Sequence, residues 1–308
     1  MLDDNWTERD VEPSTVELLS ERLAASRLWS LLMQVAHARA ARRRPSDLLH
    51  QWANDRFVLP GQVDPRVQIA LDQLLFGVAK DFEALELSPL SPLGTCSVVA
   101  PGSQNRIVST MRGTEVLSDP TNVLALESAR RLRADPSLNI KLAASHRCVR
   151  AQSFAPGPGI AAHFRMFCLT SAGHEIKNHG FVVHSLIEHI QFHLSALAEL
   201  GRRADAVHEV ILTLRSAPSH AHLASRIGAA FPGIAMEREG LTNNYYGGLR
   251  FSIDVRTAAG ERANLCDGGA FDWLGKLTAN RKFAFVASAL GSQRVAIVFG
   301  LRPPSDPR

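Results

Sequence analysis

The sequence predicts an α+β fold, a mostly antiparallel sheet flanked by helices and preceded by a helical extension. Three observations carry this. Short apolar runs separated by short turns follow one another through most of the chain after residue 80. The periodic helical stretches fall between groups of strands and not after each strand, which argues against a doubly wound parallel sheet. The first 60 residues show helical periodicity only. At 308 residues, with 45% hydrophobic and 21% charged side chains, the chain has ample material for a packed core.

Taken in order, residues 14–41 read as a helix. Leu18, Leu19, Leu23, Leu28, Leu31, Leu32 and Val35 fall roughly on one face, Ser14 or Thr15 is suited to cap the start, and Pro45 closes the element. A second helix covers about 46–55, before the loop signal Pro60-Gly61. Residues 1–60 are therefore expected to form an N-terminal helical extension and 61–308 a single larger domain. A third helix runs from Asp64 to about Lys80. Strands are expected near 85–87, 95–100, 106–110, 141–145, 164–170, 208–214, 245–255 and 283–299, with helices near 121–133, 182–200 and 219–230. Pro303-Pro304-Ser305-Asp306-Pro307 reads as a frayed tail.

The bulk properties narrow the setting. The acidic start lacks the regions of a secretory signal, and no apolar run approaches the ~20 residues of a membrane span. Cys96, Cys148, Cys168 and Cys266 are widely spaced with no C-x-x-C pair, which suggests neither a zinc cluster nor a disulfide scaffold. A reduced, cytoplasmic location without membrane attachment is expected. The net charge of +4 owes much to clusters such as Arg42-Arg43-Arg44, whose cations suit a helix C-terminus. With 6% aromatic residues, a nucleic-acid patch has little support.

Several segments could carry chemistry. Asp119-Pro120-Thr121 stands at a helix start, where Asp119 or Thr121 can cap free N–H groups. Arg147 and Arg165 lie on two strands joined by a loop, Ala151 to His163, containing Pro156-Gly157-Pro158-Gly159. They suit bidentate binding of phosphate or carboxylate, or are plain surface arginines. Asn243-Asn244-Tyr245-Tyr246-Gly247-Gly248 holds the chain's two tyrosines side by side. On a strand, one would enter the core and the other could line a cleft; a hairpin turn is the alternative. Asp267-Gly268-Gly269 is either a tight turn or a close approach of backbone to a ligand. Arg294 starts a helix after an apolar strand and needs an anionic partner at that depth. His189 and His193 have the i, i+4 spacing of a metal grip but no third ligand, so with His184 they read as helix-surface histidines and no metal site is assigned. There is no G-x-S-x-G elbow, Walker P-loop or Rossmann fingerprint.

In their order these segments resemble the catalytic core of class II aminoacyl-tRNA synthetases, nearest the histidyl type and its relative, the ATP phosphoribosyltransferase regulatory subunit. The strand ending in Pro89 looks like motif 1, the dimer-forming element. Ser118-Asp119-Pro120-Thr121 sits where the family has Arg-Pro-Glu-Gly-Thr. His146-Arg147 and Arg165-Met166-Phe167 look like the two strands of motif 2, Phe-Arg-x-Glu and Arg-x-Phe. Asn244-Tyr245-Tyr246-Gly247-Gly248 is similar to the Asp-Tyr-Tyr-x-Gly strand, and Gly268-Gly269-Ala270-Phe271-Asp272 to Gly-Gly-Arg-Tyr-Asp. Gly291-Ser292-Gln293-Arg294-Val295 looks like motif 3, Gly-x-Glu-Arg-Leu. The resemblance covers roughly residues 64–300.

It implies ATP-dependent activation of a carboxylate or amino acid as an acyl-adenylate, with ATP and Mg²⁺ as cofactors and a homodimer as the working unit. Arg147 would meet the α-phosphate and Arg294 the terminal phosphates. Asp119, Thr121, Arg165, Asn244, Tyr245, Tyr246, Gly268 and Gly269 would form the substrate site. The departures redirect the substrate. Val149 stands for the motif 2 glutamate, Leu169 for the return-strand glutamine, Leu241 for the arginine before Tyr-Tyr, and Ala270 for the one after Gly-Gly. Histidine is thus not the expected ligand. With no anticodon-binding region expected after residue 300, the acyl acceptor is expected not to be tRNA. The alternative is a non-catalytic sensor or regulatory subunit of the phosphoribosyltransferase type.

Overall fold

A computed structural model describes residues 12–152, 160–204, 209–243, 245–256 and 260–303. The N-terminal segment holds α1 (Pro13–Glu17, continued as a π-helical turn Leu18–Arg22), α2 (Ala25–Ala40) and α3 (Pro45–Asn54). The single helix expected over 14–41 is interrupted, because Leu23 takes an extended conformation (φ −86°, ψ 126°). Helix α4 (Pro65–Val78) follows, with Asp64 accepting from the Arg66 N–H and Pro65 at the first position, where a missing N–H costs nothing.

The sheet is α+β and mostly antiparallel, as expected. Its eight strands run in the order β1 (Glu83–Ala84), β4 (Ile140–Val149), β5 (His163–His174), β10 (Phe283–Leu290), β9 (Arg262–Phe271), β8 (Leu249–Arg256), β6 (Glu209–Ser216), β7 (Ala235–Gly240). Only the outer pairs β1–β4 and β6–β7 are parallel. Strands β2 (Leu90–Pro92) and β3 (Thr114–Val116) form a separate small hairpin.

Helices cover the sheet unequally. On its back lie α4, α6 (Gly180–Ala204), α7 (Ala221–Gly228) and α9 (Ser292–Val298), closing a core that includes Leu75, Phe167, Leu169, Leu186 and Phe251. On its front, α5 (Pro120–Ala134) and α8 (Trp273–Thr278) pack over β4, β5 and β10 through Leu124, Leu142, Cys168, Trp273 and Phe285. The rest of the front is left to a cavity.

Several local expectations change. Residues 95–99 form a π-helical turn and not a strand. The fully buried Glu115 accepts hydrogen bonds from the N–H groups of Gly94 (2.8 Å) and Cys96 (3.0 Å), which curls the chain around its carboxylate. Residues 104–106 are a 3₁₀ turn, and neither β7 nor β9 was anticipated. His189 and His193 are fully buried and not on a helix surface. They share the Ser288 hydroxyl at 2.9 Å each, and His189 also meets the Ser171 hydroxyl at 3.0 Å. All four cysteines are buried thiols. Among the described residues, no helix is long and apolar enough to cross a membrane.

Candidate functional site

The cavity, of about 530 Å³, opens on the front of the sheet between α5, the β4–β5 hairpin, the segment after Gly94 and the start of α9. Its floor is made by the small side chains of Ala287 and Ala289 and the backbone of Gly268 on the central strands. Gly269 has a specific reason to be glycine. A Cβ there would stand 2.4 Å from both the Leu249 carbonyl oxygen and Cδ1 of Tyr246, so its absence lets Tyr246 lie against the sheet. At Gly268 a Cβ would meet that of Ser288 at 2.5 Å. Both glycines are in mid-strand in β9, so the tight turn does not hold, and the close neighbours of their backbone are the protein's own groups, Tyr246 and Leu249 at one and Ser288 at the other.

Strand parity decides which arginine reaches the cavity. Along β4, Ala144 and Cys148 face the front core while Ala143 faces the back. Arg147 is thus on the back, directly opposite Arg165 in the β4–β5 register. Its guanidinium meets His163 Nδ1 at 2.9 Å and Gln293 Oε1 at 3.4 Å, and packs on Gly61. Arg165 reaches the cavity wall but turns its guanidinium to Asp72 (3.0 Å) and the Ser145 hydroxyl (3.0 Å) on the α4 side.

Arg150, three residues on, faces forward. It donates from Nε to the Ser118 carbonyl oxygen (3.0 Å), lies 3.5 Å from Asp119 Oδ2, and stands over the Phe164 ring at 5.1 Å. Val149-Arg150-Ala151-Gln152 fits the spacing Phe-Arg-x-Glu as well as the string around Arg147 does, with Gln152 at the acidic position. On β5, Phe164 and Met166 face the cavity, whereas Phe167 and Leu169 are in the back core. Arg150, Gln152, Phe164 and Met166 were all missed from sequence.

The other expected residues gather here. Asp119 caps α5, accepting from the Thr121 N–H (3.0 Å) and hydroxyl (2.7 Å), so the capping role and the place in the cavity coexist. Tyr245 and Tyr246 do not alternate. They occupy a bend before β8, both line the cavity, and their rings meet edge-on at 5.1 Å. Burial raises both phenol pKa values. Tyr246 points its hydroxyl at Asp267 (3.4 Å), which Arg250 also contacts (3.2 Å). Asp267 borders the cavity, yet its depth raises its pKa against the opposing pull of Arg250. Arg294 lines the cavity from the first turn of α9, with its buried Nε lacking a partner among the described residues. Asn244 and the Pro156–Gly159 loop tip lie outside the described residues. Cys96 meets the Ser118 hydroxyl at 2.6 Å, and burial pushes its thiol up to about 11, which keeps it protonated and unreactive at neutral pH.

Arg150 and Arg294, with Arg106 and the wall-lining Arg165, therefore share one cavity with an aromatic face and a set of hydroxyl and carboxyl groups. That arrangement suits a polyanionic ligand with a planar ring, beside a small polar ligand.

No family model matches the chain, and no curated protein matches it. Solved structures do. The structure titled as the RNA-binding domain of threonyl-tRNA synthetase from Cryptosporidium parvum Iowa II superposes with a TM-score of 0.61 at 11% identity, covering 76% of this chain and 64% of that one. Apo histidyl-tRNA synthetase from S. aureus gives 0.56 at 13%, covering 77% and 66%. An ATP phosphoribosyltransferase regulatory subunit/histidyl-tRNA synthetase from Bacillus halodurans C gives 0.56 at 13%, covering 79% and 82%. The chain thus spans just under two thirds of the two synthetase chains, and at these identities the likeness is one of fold. The protein has the fold of the class II aminoacyl-tRNA synthetase core.

Proposed function

We propose that the chain activates a carboxylate or amino acid with ATP, forming an acyl-adenylate, and passes the acyl group to an acceptor other than tRNA, as a homodimer whose domain 61–308 carries the site. The observation that carries this reading is the meeting of Arg150 and Arg294 in one cavity. A substrate carboxylate oxygen bonds to the α-phosphorus, the bond to the bridging oxygen breaks, and pyrophosphate leaves. Arg150 neutralises charge on the α-phosphoryl oxygens and Arg294 on the departing pyrophosphate. Fixed cations aimed at developing charge are worth about 3–4 kcal/mol each. Phe164 offers its ring to the adenine, and Asp119, Thr121, Tyr245 and Tyr246 hold the carboxylate substrate. Arg147 and Arg165 act from behind, fixing the hairpin.

ATP's anionic groups fit these residues. A protein-held Mg²⁺ fits them less well. Of the described acids in the cavity, Asp119 is committed to its cap and to Arg150, and Asp267 to Arg250 and Tyr246. No step is therefore assigned to the metal.

The Asp119–Arg150 contact also favours a second reading. A carboxylate that pairs with Arg150 is suited to a sensor, in which a small anion takes the place of Asp119 and no chemistry follows. Pyrophosphate exchange over a panel of amino acids and other carboxylates separates the two. Carboxylate-dependent exchange in the wild type, lost in R150A and R294A, is expected. Absence of exchange together with no calorimetric ATP binding at millimolar nucleotide overturns the enzyme reading.

A further inference from the structure

The cavity extends along β9 to residues with no part in the adenylation step, Asn264, Leu265 and Asp267. Residues three apart on a regular strand face opposite sides, yet Asn264 and Asp267 both border the cavity. A β-bulge accounts for it. Cys266 pairs with Ile253 and Asn264 with Asp254, so Leu265 is an extra residue with no partner on β8. Its carbonyl oxygen accepts instead from the Gly291 N–H (3.0 Å), which ties the bulge to the turn before α9, the helix that carries Arg294. Bulges of this kind re-aim side chains beside functional sites.

Both side chains present oxygen to the cavity. Nδ2 of Asn264 donates to Asp254 Oδ1 (2.7 Å) and, along the strand toward Asp267, to the Cys266 carbonyl oxygen (3.4 Å). A carboxylate and a carbonyl only accept, so the orientation of the amide is fixed, and its Oδ1 has no partner among the described residues. Asp267 is held loosely. The Tyr246 hydroxyl is 3.4 Å from Oδ1, beyond the ordinary range, and Arg250 Nη2 is 3.2 Å from Oδ2. Its side chain is 41% exposed, so a ligand can reach the lone pairs that these donors do not use. The cavity walls strip water from the carboxylate and, with the Asp119 charge, raise its pKa against the pull of Arg250 and Arg150. Its negative charge is thus only partly compensated.

We infer that Asn264 and Asp267 form the subsite for the acyl acceptor, and that this acceptor is a primary amine bound as its ammonium ion. An ammonium group has three donors and no acceptor, the complement of a carboxylate beside an amide oxygen. It adds the positive charge that Arg250 supplies only in part. A divalent metal would need several such oxygens in a fixed shell, whereas an ammonium takes one lone pair from each and leaves Arg250 in place. The role as acceptor subsite rests on the acyl-adenylate reading; the affinity for an amine does not.

In the transfer step the ammonium gives one proton to Asp267, which frees a lone pair on nitrogen. That nitrogen bonds to the acyl carbon, the bond from this carbon to the phosphate oxygen breaks, and AMP leaves with the electron pair. The second proton passes to water at the cavity mouth, and the product is an amide.

Saturation-transfer NMR on the full chain tests the site, with n-butylamine, protonated at neutral pH, as the probe. Butyltrimethylammonium, which keeps the charge without the donors, and n-butanol serve as controls. The wild type is expected to prefer butylamine about tenfold over either control. D267N is expected to bring that preference to within about twofold of none, and N264A, at an exposed position, to lower it about threefold. D272N, which removes an exposed acid paired with Lys276, is expected to retain it. Damage to the fold would weaken all three probes together and leave their ratio unchanged. Equal binding of the probes by the wild type, or a preference unchanged in both D267N and N264A, would overturn the inference. Displacement of butylamine by adenosine would also overturn it, by giving these oxygens to the ribose. Pyrophosphate exchange needs no acceptor, so the two readings fail separately. Exchange without an amine preference defeats the acceptor site alone; an amine preference without exchange defeats the adenylation reading and leaves the amine site standing. Where both hold, butylamine is expected to raise AMP release, with its KM raised about tenfold in D267N.

Discussion

The two faces of the β4–β5 hairpin differ in what they do with arginine. On the back, Arg147 and Arg165 stand opposite each other, one engaged with His163 and Gln293 and the other with Asp72 and Ser145. On the front, Arg150 lies in the cavity over Phe164 and shares it with Arg294. Residues three apart along an extended stretch are on opposite faces, so one short stretch supplies both a back-facing and a cavity-facing cation. The type of residue is the same; the difference lies in which side of the hairpin each faces, Arg147 being the more exposed and Arg150 the one that borders the cavity.

The largest effect expected from this contrast is on exchange activity. R150A should lower it by about 10²–10³, while R147A should leave it within about threefold, as measured under saturating carboxylate. An equal loss in both would mean that the faces do not differ as described.

Gly269→Ala addresses the front by packing. Its Cβ would collide with a backbone carbonyl and the Tyr246 ring, and backbone cannot yield cheaply. A loss of roughly 3 kcal/mol by urea unfolding is expected, with carboxylate KM raised in the surviving fold.

The back is probed by pH. Burial pushes His193 down to about 3 and His189 well below its ordinary 6.5, with His193 and Lys141 adding to the shift at His189. Both are neutral when folded, while the unfolded chain takes up protons below about 6.5. Stability is therefore greatest above that pH and declines as pH falls. The loss is about 1.4 kcal/mol per unit for each histidine, or roughly 2–3 kcal/mol in total at pH 5.5. H193Q should flatten this slope by about half.

The smallest effect is expected at Asp72, which accepts from Ser145 and Arg165 at a half-buried site. D72N should cost about 1–2 kcal/mol of stability and change exchange only slightly.

The fold and the order of its segments were legible because they rest on periodicity, turn residues and short motifs that survive in sequence. The register of the motif 2 strand was not. Of the ten residues of β4, only Arg147 is exposed, so the strand lacks the alternation of apolar and polar residues that reports which side faces the ligand. His146-Arg147 and Val149-Arg150 both fit the pattern by spacing, and only tertiary structure separates them. For the tyrosine pair the strand alternative fails and the turn alternative is nearer, because Tyr245 and Tyr246 occupy a bend before β8. The burial of His189 and His193 is not legible in sequence because their partner is a serine hydroxyl on a distant strand, Ser288, of which helix spacing carries no trace. Asp119 was read correctly as a cap, since that role is local.

Calorimetric titration of ATP into the wild type, R150A and R147A tests the central assignment most directly. Measurable binding by the wild type, at least a tenfold weaker affinity in R150A, and an affinity for R147A within about twofold of the wild type are expected. Weakened binding in R147A with R150A unaffected would contradict it and return the phosphate-binding role to the back of the hairpin.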